Sequence, residues 1–170
     1  MSETATYNVL FICTGNTARS ILAEGLMNHL ARGRIKAYSA GSQPKGCVNP
    51  LALQTLATWR IPTDGFHSKR WDEFAKPGAP RLDFVLTVCD NAAGEVCPFW
   101  PGQPMTAHWG VPDPAAVDGT DQQKAKAFFD SAVTLRRRIE LMLALPLSSL
   151  DAHRIQREIT DIGTRCGQTR

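Results

Sequence analysis

Tyr7-Asn8-Val9-Leu10-Phe11-Ile12-Cys13-Thr14-Gly15-Asn16-Thr17-Ala18-Arg19-Ser20-Ile21-Leu22 is the stretch that decides the fold. Tyr7 to Ile12 is a short run of apolar, aromatic and β-branched residues without polar alternation, the pattern of a strand buried on both faces. Cys13 stands at its carboxyl end. After a short polar loop, Ile21, Leu22, Leu26 and Leu30 recur at helical spacing, and Gly33 supplies a stop. Strand, loop and helix in this order are the opening half of a parallel βαβ unit.

Outward from this unit the alternation continues. Ile35 to Ala40 predicts a second strand ended by Gly41, and Asn49-Pro50 starts a helix expected to turn Leu53, Leu56 and Ala57 inward. Leu82 to Cys89 predicts a third buried strand, again with a cysteine at its end, and a short fourth is expected near Ala107 to Val111. A long helix from about Thr120 to Leu145 carries Phe128, Ala132, Leu135, Ile139 and Met142 on one stripe, and Pro146 ends it. The fold expected is a small three-layer α/β domain over residues 1–146, with a central four-stranded parallel sheet flanked by helices. Ligands of such sheets bind beyond the carboxyl ends of the strands, where Cys13 and Cys89 both lie. The tail 147–170 reads as one more helix, with Ser148 and Asp151 as a capping box, Ile155, Ile159 and Ile162 at helical spacing, and a frayed end from Thr164.

Composition narrows the class. The 170 residues are 43% hydrophobic and 21% charged, which suits a packed globular domain. Met1 to Tyr7 lacks the basic region of a secretory leader, and no apolar run approaches the roughly 20 residues that cross a bilayer, so a cytoplasmic enzyme with no membrane role is expected. Net charge is +3, and the one dense basic run, Arg136-Arg137-Arg138, falls on a helical pattern and reads as a solvated face, so no nucleic-acid partner is expected. Five cysteines in a reducing compartment point to nucleophilic or redox chemistry more than to structural bridges.

Cys13 is separated by five residues from Arg19, and the loop between them opens a helix. Gly15 and Asn16 can take the positive φ that turns successive amides to one side, giving an anion cradle formed by Thr14, Gly15, Asn16, Thr17, Ala18, Arg19 and Ser20. The positive end of the helix dipole and a guanidinium fork at Arg19 complete it, and the same surroundings favour the thiolate of Cys13. Trp109-Gly110-Val111-Pro112-Asp113-Pro114 holds a carboxylate in a stiff loop, because Pro114 biases Asp113 toward extended geometry. Asp113 can serve as a proton donor there or simply form a turn. Cys89 and Cys97 bracket a polar loop; without a C-x-x-C spacing or a nearby histidine they do not form a zinc site, and their thiols meet only if the loop folds or rearranges.

With these segments in view the chain resembles the thioredoxin-coupled arsenate reductases, which share the fold of low-molecular-weight protein tyrosine phosphatases. The resemblance runs from about Tyr7 to Leu145. It rests on the loop from Cys13 to Ser20, on Ala23-Glu24-Gly25, Tyr38-Ser39-Ala40-Gly41, Val48-Asn49-Pro50, Thr87-Val88-Cys89 and Cys97-Pro98, and on His108-Trp109-Gly110 with Asp113-Pro114. It implies arsenate as substrate, with phosphate and sulfate as mimics. It further implies that Cys13 is the nucleophile, Arg19 the oxyanion binder, Asp113 the general acid, and Cys89 and Cys97 the second and third thiols of a disulfide relay. Thioredoxin is the reductant implied, and no cofactor is called for.

Some relatives hold potassium near the loop asparagine. Asn16, Glu24 and Ser39 match three of its ligands, but the expected fourth, an aspartate, falls near Lys69 or Arg70, so a basic side chain is expected in place of the ion and no metal is assigned. Cys47 and Cys166 match no relay position, and none of His29, His67, His108 and His153 is given a catalytic role. Two rival readings stand beside the reductase. One is a tyrosine phosphatase, against which Ala115 and Ala116 replace the aromatic pair that would hold a tyrosine ring. The other is a non-catalytic oxyanion-binding module, for which only the tail offers a partner surface.

Overall fold

The computed structural model describes residues 6–89 and 100–166, the side chains of 165 and 166 excepted. Four parallel strands form one sheet in the order β2-β1-β3-β4: β1 (Tyr7–Cys13), β2 (Ile35–Gly41), β3 (Phe84–Thr87) and β4 (Met105–His108). The helices are α1 (Arg19–Ala31), α2 (Pro50–Thr58), α3 (Asp121–Leu143) and α4 (Ala152–Cys166). The expected four-stranded parallel α/β sheet with flanking helices is the one that forms.

The central strand pair explains the apolar runs. Val9 to Ile12 and Leu86 are all fully buried, since β1 is covered on both edges by β2 and β3 and on both faces by side chains. One face, carrying Phe11 and Ser39, looks toward α1, where Ser39 meets Glu24, and toward Trp109, whose ring lies 6.2 Å from that of Phe11. On the other face Tyr38 packs on Phe74 of a 3₁₀ turn, Trp71–Ala75, which with Trp100 forms an aromatic lid.

Local signals set most boundaries. Asn49 caps α2 by accepting from the amide of Leu51, with Pro50 at the first helical position. Thr120 and Gln123 form a reciprocal capping box on α3. The predicted stripe Phe128, Ala132, Leu135, Ile139 and Met142 is buried throughout.

Four expectations are corrected. The inner face of α2 is Ala52, Thr55 and Leu56, while Ala57 is exposed. β4 lies two residues earlier than expected, because Gly110 and Pro112 leave the ladder and only Trp109 and Val111 still donate, to Thr87 and Val88. The cap of α4 is Asp151 itself, whose carboxylate accepts from the Arg154 amide, and not Ser148 one turn earlier. Arg138, read as part of a solvated basic face, is 1% exposed.

α4 covers the open edge of the sheet. Gln156 donates to the carbonyl of Thr106 in β4, the Trp109 indole donates to the carbonyl of Ile159 at 2.9 Å, and Ile155, Ile159 and Ile162 are buried beneath. Gly163 is required by this contact, since a β-carbon there would stand 2.2 Å from the carbonyl oxygen of His108. Among the described residues no helix is long and apolar enough to cross a membrane.

Candidate active site

The loop from Cys13 to Arg19 leaves β1 at the carboxyl edge of the sheet and enters α1, whose N-cap, Ala18, offers no side-chain acceptor to the first amides. Its outer side is held by a parallel run of backbone. Gln43 donates to the carbonyl of Thr14, Lys45 to that of Gly15 and Asn49 to that of Thr17, at 2.9, 3.1 and 2.9 Å. Ser68 adds a hydroxyl bond to the Gly15 carbonyl. In a trans peptide the N–H following each carbonyl points the opposite way, so the amides of Gly15, Asn16 and Ala18 turn away from this outer segment. Amides turned to one side in this way can hold an anion, an arrangement set by the chain direction itself. Of the two residues expected to take positive φ, Asn16 does so at 50° and Gly15 does not.

Asn16 is the internal pin of the loop and is fully buried. Its Oδ1 accepts from the Lys69 amide at 2.8 Å, and its Nδ2 therefore donates to Ser20 at 2.8 Å and to Ser39 at 3.1 Å. Ser20, having accepted from Asn16, still has its own hydrogen to offer, and its hydroxyl bonds Cys13 Sγ at 2.9 Å; when Cys13 is a thiolate the hydroxyl is the donor. Ser39 likewise passes its hydrogen to Glu24 at 2.5 Å.

Burial pushes the Glu24 carboxyl up, partly opposed by the Ser39 hydroxyl and by the charges of Lys69 and His67; burial also pushes the Lys69 ammonium down, opposed by Glu24 and Glu73. Lys69, whose ammonium donates to the carbonyl of His67, is thus a positive neighbour that eases the burial of Glu24. Arg70 turns instead to Asp72 and the carbonyl of Ser42.

Arg19 spans from this loop to the next. Its Nη1 donates to the carbonyl of Val111 at 3.1 Å, and its Nη2 lies 3.7 Å from Asp113 Oδ2. Asp113 is extended at φ −75° and ψ 110°, as Pro114 requires, and its other oxygen accepts from the Ala115 amide to cap the short turn Pro114–Ala116. Asp113 thus forms the turn through one oxygen and faces Arg19 with the other. Cys89 follows β3 at 2% exposure, with its Sγ 3.5 Å from the Thr14 hydroxyl.

Cys13, Arg19, Asp113 and Cys89 are thus gathered at one edge, while Cys97 and the loop expected to move lie outside the described residues. Cys47 is exposed on the outer segment. His108 bonds Thr87 across the β3–β4 pair. Sequence reasoning missed Arg138, which donates to the carbonyls of Trp109 and Gly110 at 2.7 and 2.9 Å. The available signal was its spacing from Leu135 and Met142, which puts it near the buried stripe.

A buried parallel sheet ending in a cysteine cradle, an adjacent arginine and a carboxylate across from it place the chain among phosphatase-like enzymes. It belongs to the low molecular weight phosphotyrosine protein phosphatase family, which it matches over residues 8–150. It is 37% identical over 120 residues to the arsenate reductase of Halalkalibacterium halodurans, covering 71% of this chain and 83% of that one. Among solved structures it is similar to an arsenate reductase in the phosphate binding state, with a TM-score of 0.63 and 25% identity over 81% of this chain and 97% of the other. It is also similar to the thioredoxin-dependent arsenate reductase of Corynebacterium glutamicum, with a TM-score of 0.54 and 25% identity over 82% and 65% of the two chains.

Proposed function

We propose that the chain is a cytoplasmic arsenate reductase that converts arsenate to arsenite by a relay of Cys13, Cys89 and Cys97. The observation that carries this reading is the Cys89 thiol at the wall of the oxyanion loop, 3.5 Å from Thr14 Oγ1, where phosphate-ester hydrolysis has no use for it. The similarity to arsenate reductases supports the substrate.

Arsenate is held by the loop amides and Arg19. The Cys13 thiolate attacks arsenic, one oxygen leaves as water after accepting a proton from Asp113, and a Cys13–arsenic(V) adduct remains. The Cys89 thiolate then attacks Cys13 Sγ. The electron pair of the broken sulfur–arsenic bond stays on arsenic, which leaves as arsenite while a Cys13–Cys89 disulfide forms. Cys97 attacks Cys89 and frees Cys13, and thioredoxin reduces the resulting Cys89–Cys97 bridge. Thioredoxin is drawn from the similarity to the Corynebacterium glutamicum enzyme.

The test is dissociation of the cysteine variants. Cys89→Ser should lose multiple-turnover arsenate reduction yet keep any slow hydrolysis of an aryl phosphate, which finishes with water. Cys97→Ser should release stoichiometric arsenite once and stop with Cys13 and Cys89 linked, as peptide mapping after a single pulse would display. Parent-rate turnover of Cys97→Ser with thioredoxin would remove Cys97 from the relay.

A further inference from the structure

We propose that Arg138 is a positioning residue for Asp113: from its buried place on α3 it holds, through the carbonyls of Trp109 and Gly110, the loop that carries this carboxylate. The inference rests on the reading of Asp113 as the proton donor.

Burying a guanidinium is costly unless its donors are satisfied, and an apolar side chain of similar length would fill the same volume without that cost. Arg138 is nonetheless 1% exposed, and its Nη1 donates to two carbonyls of the loop after β4. There the ladder of the sheet gives out. Trp109 and Val111 still donate to Thr87 and Val88, but Pro112 and Pro114 have no N–H to give. The acceptor side of the loop is held by cations, because three successive carbonyls, Trp109, Gly110 and Val111, take bonds from Arg138, Arg138 and Arg19.

Behind the loop lies a cleft of about 400 Å³ bounded by Gly110 to Pro114 on one side and by Asp130, Ser131 and Thr134 of α3 on the other. The loop is not backed there by close-packed side chains, so the bonds from Arg138 keep it forward. Among the described residues Asp113 faces Arg19 at 3.7 Å, and the cleft it borders is also lined by Arg138 and by Asp130, which is paired with Lys126. Released from Arg138, the loop can move into the cleft and draw the carboxylate away from Arg19 and the cradle.

The experiment compares Arg138→Met, Arg138→Lys, Asp113→Asn and the Arg138→Met/Asp113→Asn double variant in the full chain. It measures arsenite released in the first turnover with enzyme in excess, inorganic phosphate affinity, and amide hydrogen exchange at Val111. Arg138→Met should lower the first-turnover rate about a hundredfold, the scale of an ångström-sized misplacement. Phosphate affinity should fall far less than the rate, because the loop amides of the cradle stay in place, and Val111 exchange should speed up while β1 stays protected. The double variant should be no slower than Asp113→Asn, since a displaced acid and an absent acid cost the same step. Arg138→Lys, which keeps the charge and a donor, should recover part of the rate, and it carries the comparison if Arg138→Met does not fold.

Multiplying losses in the double variant, or a full rate in Arg138→Met, would overturn the role of Arg138. A parent rate in Asp113→Asn would instead overturn the proton-donor reading, and this inference with it.

Discussion

Glu24 and Lys69 are opposite, half-buried charges near the cradle, and their shifts have opposite consequences. Glu24 binds its proton more tightly folded than unfolded, so its contribution to stability is present in acid and is lost as pH rises from the usual carboxylate range through its raised value. Lys69 binds its proton less tightly when folded, so its contribution is present at alkaline pH and is lost as pH falls through its lowered value. Glu24→Gln should therefore gain in melting temperature relative to the parent as pH is raised from about 4 to about 8, and a constant gap between the two curves would contradict the burial argument. Ser20→Ala should slow alkylation of Cys13 near neutral pH about tenfold by removing a hydroxyl directed at the sulfur, measured with iodoacetamide and mapped to the peptide. At this scale the sequence was legible in which residues meet, since Cys13, Arg19 and Asp113 are brought to one edge of the sheet. It misled at Arg138, because a cation on a helix satisfies the same pattern whether it faces water or the carbonyls of a loop folded from elsewhere.

Elements meet closest where side chains are absent. A β-carbon at Gly41, the last residue of β2, would stand 2.5 Å from the Thr14 carbonyl oxygen and 3.0 Å from the Asn16 amide, so β2 and the oxyanion loop touch backbone to backbone. Gly41→Ala should distort the cradle and weaken phosphate binding at least about tenfold, roughly 1.4 kcal/mol, which titration calorimetry can read directly. Gly163→Ala should lift α4 from β4 and cost about 1–3 kcal/mol of stability, measured by denaturant unfolding. Strand and helix identities were readable from apolar runs, and the caps of α2 and α3 from Asn49-Pro50 and Thr120. The start of β4 was not, since its burial alternates weakly at the edge of the sheet and its ladder is set by β3. Asp151 reads in sequence as the far end of a box because Ser148 offers an equally good cap.

For the molecule as a whole, an anion held by loop amides and Arg19 joins β1, α1 and the Asp113 loop in one ligand site, so binding should be felt by global stability. Inorganic phosphate at about a hundred times its dissociation constant should stabilise the parent by about 2.7 kcal/mol, while Arg19→Ala should show little of this shift in a thermal melt. Equal shifts in both proteins would place the anion elsewhere. The parallel order of the sheet followed from alternating elements; the covering of its edge by α4 did not, because periodicity in a tail marks a buried face without naming what buries it. The outer segment at Gln43, Lys45 and Asn49 has a different consequence. It grips the cradle by main-chain N–H groups alone, and the side chains of Gln43, Lys45 and Cys47 are exposed. Proline is barred at the three donor positions, Asn49 is kept by its capping of α2 and Gly46 by φ 84°, but the exposed side chains at 43, 45 and 47 are free to be rewritten. An engineer can therefore vary the entrance, and with it the oxyanions or esters admitted, while leaving the catalytic floor undisturbed.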